Sequence, residues 1–73
     1  MTLEMFLNKM QIHQPYRIFL SPELELIDIQ YTSIKRFLNY EVKEFHAEDD
    51  GIIYILIDCD YKGKDVVERR YYE

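Results

Sequence analysis

The sequence predicts an α+β fold. One small domain spans residues 1–73, with element order α-β-β-α-β-β and an antiparallel sheet with helices packed on one face. Three observations lead there. Two segments, near residues 3–10 and 34–38, place apolar residues at helical spacing. Four other segments carry strand-like apolar runs, arranged as two pairs joined by turn residues. The chain has only two Gly and two Pro, and its 48% hydrophobic content is enough to close a core and argues against disorder.

Leu3, Phe6, Leu7 and Met10 fall at i, i+3, i+4 and i+7, so the opening segment is a helix. Thr2 suits its N-cap and Glu4 the positive end of its dipole. It must stop before Pro15, because the residue preceding a proline is pushed out of the helical region. In Tyr16–Leu20, residues Tyr16, Ile18 and Leu20 alternate with Arg17 and Phe19, which makes a strand. Ser21-Pro22-Glu23 is turn chemistry, and Leu24–Gln30 is the returning strand of a hairpin.

Thr32 or Ser33 is then expected to cap a short helix carrying Ile34, Phe37 and Leu38, with Asn39 suited to its C-terminal end. Glu41–Ala47 and Ile52–Asp58 form a second hairpin around Asp50-Gly51, a strong two-residue turn signal. Ile53, Ile55 and Ile57 face one way and Ile52, Tyr54 and Leu56 the other, so this last strand is central and covered on part of each side. Residues 61–73 are read as a flexible tail or an extra element. Asp65 could cap a helical turn, or Val66, Val67, Tyr71 and Tyr72 could extend as a fifth strand.

Charge is distributed unevenly. Residues 1–40 balance four acids against four bases, and residues 61–73 sum to +1. Residues 41–60 hold Glu41, Glu44, Glu48, Asp49, Asp50, Asp58 and Asp60 against Lys43 alone, so the excess behind the net −5 lies on one segment. Such a chain repels nucleic acid and favours a partner with a basic surface. Cys59 is a lone cysteine, which excludes an internal disulfide and suits a reducing interior. The longest apolar run is too short for a bilayer, and no leader pattern opens the chain; a cytoplasmic protein without membrane contact is expected.

The sharpest chemical suggestion is Asp58-Cys59-Asp60 at the end of an apolar strand. An Asp-x-Asp there superficially resembles the opening motif of haloacid-dehalogenase-like phosphatases. Context argues against it: only thirteen residues follow Asp60, Lys62 stands where a small residue is needed, and the strand is a hairpin arm. A buried strand ending in solvated acids is the simpler reading. No metal is expected either, since Glu48, Asp49 and Asp50 lie roughly 20 Å from Asp58 and Asp60 at about 3.3 Å per residue along the strand. His46 lies near the hairpin turn and away from Cys59, so no Cys-His pair forms. No catalytic residue, metal or cofactor is therefore assigned. Seven tyrosines exceed what so small a core needs, and exposed tyrosine suits protein interfaces.

The "TLEMFLNKM" opening, the short α-β-β-α-β-β order and the "AEDDGIIYILID" arm together resemble small acidic accessory proteins of bacteriophages and mobile elements of Gram-positive bacteria. That resemblance implies a non-enzymatic protein that acts by binding. Some proteins of this kind are anti-CRISPR or other anti-defence inhibitors. The expected function is non-catalytic binding of a basic nucleic-acid-handling host protein such as a CRISPR effector, with inhibition as the outcome that the resemblance implies. Glu44, Glu48, Asp49, Asp50, Asp58, Asp60 and Tyr61 are the expected contact residues. The alternative is a structural module that forms a homodimer through a strand edge and tyrosines.

Overall fold

A computed structural model describes residues 1–71 and shows a small α+β domain with two helices and a five-stranded mixed sheet. Helix α1 spans Leu3–Lys9, and the Thr2 hydroxyl accepts from Met5 N–H at 3.3 Å. Strands β1 (Tyr16–Ser21) and β2 (Leu24–Leu26) form the first hairpin. Helix α2 (Tyr31–Ile34) runs on into a 3-10 turn at Lys35–Phe37. Strands β3 (Val42–Ala47) and β4 (Ile53–Ile57) form the second hairpin, and β5 (Val66–Glu68) pairs with β2. The tail thus adopts the extended of its two expected forms, while Tyr72 lies outside the described residues. Among the described residues no helix is long and apolar enough to cross a membrane.

The sheet order is β3-β4-β1-β2-β5, and the sheet is not antiparallel throughout: β1 and β4 pair parallel, with Ile18 beside Ile55 and Phe19 beside Leu56. The connection between the hairpins explains the correction. Residues 27–41 carry α2 and the 3-10 turn and return the chain along the sheet, so β3 starts in the same direction as β2. Parallel alignment needs a crossover of about a dozen residues or more, usually helical, and this segment meets that requirement. Both apolar strands thereby sit side by side in the middle.

The second strand is shorter than its apolar pattern suggests, ending at Leu26 instead of Gln30. Asp28 is the reason. Its carboxylate accepts from Gln30 N–H at 3.1 Å and from the Ser33 hydroxyl at 2.7 Å, bending the chain out of the sheet and into α2. These bonds hold the Asp28 carboxyl below its usual range, the Ser33 bond contributing most. Ser33 therefore reaches back to Asp28 and does not cap the helix, whose N-cap is Gln30. Asn39 takes no left-handed conformation; among the described residues the non-glycine residue with positive φ is His13, at 71°, in the loop after α1.

One buried cluster joins Leu3 and Phe6 of α1 and Ile34 and Phe37 to Ile18, Leu20, Leu26, Ile55, Ile57 and Cys59. Alternate strand residues point the other way. There Phe19, Leu56 and Tyr71 form a second cluster against which Tyr54 packs. Tyr71 reaches it because the chain after β5 keeps following the first hairpin, with Arg69 N–H donating to Glu23 O and Tyr71 N–H to Pro22 O.

Candidate binding surface

The acidic segment folds as the β3–β4 arm at one edge of the sheet. Its turn is set locally. Gly51 takes φ 82°, which favours glycine, and the Asp50 carboxylate accepts from Ile52 N–H at 2.9 Å. The Gln14 side-chain amide donates to Gly51 O at 2.9 Å and fixes the turn to the loop before β1. Asp49 and Asp50 are exposed, Glu48 is half-exposed beside His46 at 3.3 Å, and Glu44 is exposed along the arm.

Asp58 and Asp60 lie past the other end of β4, away from Glu48, Asp49 and Asp50 at the turn, as the length of the strand implies. Between them Cys59 is buried, and its backbone N–H donates to Leu20 O at 3.0 Å, prolonging the ladder. Asp58 and Asp60 point to solvent on either side, and Asp58 stands 3.7 Å from Lys43 in an exposed pair of little energetic weight. The Cys59 side chain faces Tyr40, and that contact is the leading cause of an upward shift of the Tyr40 hydroxyl. Among the described residues no group of three or more His, Cys, Asp and Glu side chains converges as a metal site would require.

Tyr61 holds the tail. Its hydroxyl accepts from Arg36 at 2.9 Å and donates to Asp65 at 3.1 Å, and its ring packs edge-on against Phe37. Gly63 lies against that ring: a Cβ there would fall 2.6 Å from Tyr61 Cζ. Gly63→Ala is therefore expected to displace Tyr61 and cost about 1–3 kcal/mol. The measurement is the urea midpoint, with Lys62→Ala, at an exposed neighbour, expected to leave it unchanged. Of the other tyrosines, Tyr31 and Tyr40 are exposed while Tyr71 is buried.

Two features escaped the sequence reading. The first is a charged layer on the Phe19 side of the sheet. Glu25 is 5% exposed and accepts from Arg17 Nε and Nη2, both at 2.7 Å, and from Arg69 Nη1 at 2.9 Å. Arg17 also donates to the Tyr54 hydroxyl at 2.8 Å and lies over the Tyr54 and Phe19 rings. The Glu25 bond above all holds the Arg17 guanidinium more firmly protonated than usual. Glu25 stands between Leu24 and Leu26 in a hairpin strand, and that alternation was the available signal. The second feature is Phe45, 58% exposed on edge strand β3 and 4.7 Å from the Phe6 ring. Its place on the edge depends on sheet order, which the sequence does not carry.

No family model matches this chain, and no curated protein or solved structure is significantly similar to it.

Proposed function

We propose that this chain is a non-catalytic binding protein whose β3–β4 arm docks on the basic surface of another protein. The observation that carries the reading is the turn itself. Glu48, Asp49 and Asp50 stand in succession at its tip, and of their carboxylates only that of Asp50 caps the turn while Glu48 approaches His46. Three carboxylates held together repel one another and contribute little to folding, whereas they offer acceptors to Arg and Lys. A surface that handles nucleic acid fits this chemistry, because it is built to bind phosphate oxygens. The phage and mobile-element resemblance of the sequence supports inhibition of such a protein as the outcome.

Asp58 and Asp60, past the far end of β4, would belong to a separate contact. The test is capture of a basic partner at low and at high salt. Retention at low salt and release at high salt are expected, because exposed charge pairs are screened. A partner held equally in both conditions would contradict docking by charge.

A further inference from the structure

Among the described residues no strand pairs with the outer edge of β3, which makes it a pairing site of defined length. Glu48 N–H donates to Ile52 O, and with Phe45 opposite Ile55 and His46 opposite Tyr54, the alternation of an antiparallel ladder turns the backbone groups of Glu44 and His46 towards β4. Those of Phe45 and Ala47 point outward. At the start of the strand the edge is already covered: Thr2 bridges Glu41, and Val42 N–H donates to Met1 O at 2.9 Å. The open stretch is therefore 43–47, regular from Glu44 onward after a register shift between Val42 and Glu44, with Phe45 at its centre.

We infer that a second copy of this chain occupies that edge, its β3 antiparallel to the first across a two-fold axis at Phe45. Residue pairing selects this register. With Phe45 opposite Phe45, each Glu44 stands across from the His46 of the other copy, and each Lys43 from Ala47. Centring on Glu44 sets two carboxylates opposite each other and runs into the Met1–Thr2 segment. Centring on His46 sets the two imidazoles together and Glu44 against Glu48, and like charges placed directly opposite are destabilising.

Side chains beside the edge fit the same partner. Met1 is 47% exposed, Met5 51% and Phe45 58%, and a groove of about 310 Å³ lined by Met1, Phe6, Val42, Lys43, Glu44 and Phe45 lies beside the strand. The Phe45 ring of the second copy would enter it. Net charge does not prevent the association. Antiparallel pairing sends the two acidic turns in opposite directions, about 30 Å apart at ~3.4 Å per residue, several Debye lengths at physiological salt. Both turns stay open at the ends of the dimer, so self-association stands independently of docking on a basic partner.

Sedimentation equilibrium across the micromolar range tests the pairing. The expected result is a reversible dimer whose self-affinity falls at least about tenfold in Phe45→Glu, with the melting temperature of the dilute protein held because Phe45 is largely exposed. Register is read by linking cysteines with a short bis-maleimide. Phe45→Cys is expected to link to itself at least about tenfold faster than Glu68→Cys on the opposite edge strand. A protein monomeric throughout that range, a self-affinity unchanged in Phe45→Glu, or equal linking at the two edges would overturn the inference.

Discussion

Ile55→Ala is expected to cost about 2–5 kcal/mol, enough to unfold much of the population of so small a domain. Ile55 is fully buried at the middle of β4, paired with Ile18 on one side and Phe45 on the other. Its side chain belongs to the cluster that joins α1, the 3-10 turn and the two central strands. Removing it leaves a cavity bounded by four elements, which cannot all close in together. Urea and thermal midpoints measure the loss. Midpoints that barely move would mean that β4 does not lie at the centre of the sheet.

The second large effect is expected on the opposite side of the sheet. Arg17→Ala removes both bonds of the bidentate pair and leaves the buried Glu25 carboxylate with Arg69 alone. Breaking one partner of a fully buried pair costs about 3–5 kcal/mol; the Arg17 side chain keeps 26% exposure, so about 2–4 kcal/mol is expected here. Part of the loss comes from the Tyr54 hydroxyl and the rings beneath the guanidinium. Replacing Arg17 and Glu25 together with Leu should recover much of it, because no buried charge is then left unmatched. A double variant as unstable as Arg17→Ala would show that packing, and not the stranded carboxylate, sets the cost.

Local chemistry made much of this structure legible. Alternation in residues 16–20 and 53–57 placed Ile18, Leu20, Ile55 and Ile57 on one side and Phe19 and Leu56 on the other, as the two clusters have them. Asp50-Gly51 marked its hairpin and Thr2 its helix cap. What failed depended on partners distant in the chain. Parallel pairing of β1 with β4 follows from the return path of residues 27–41, which has no signature in either strand. Ile27 and Ile29 suit a strand, yet Asp28 between them closes a turn with Gln30 and Ser33 and ends it. Glu25 looked like an ordinary hairpin charge until the fold placed two arginines on it. The acidic residues were found by composition, and the length of the β4 strand already set Asp58 and Asp60 apart from the turn; that the arm carrying them forms one edge of the sheet came only with the strand order.

Docking through the acidic turn is tested most directly by replacing Glu48, Asp49 and Asp50 together with serine and measuring affinity for the salt-sensitive basic partner alongside the melting temperature. Serine at position 50 still offers an oxygen to Ile52 N–H, so the turn is kept. The expected result is a loss of at least about tenfold in affinity, about 1.4 kcal/mol, with the melting temperature unchanged or slightly raised as the mutual repulsion disappears. Full affinity with all three carboxylates gone would contradict docking at this turn.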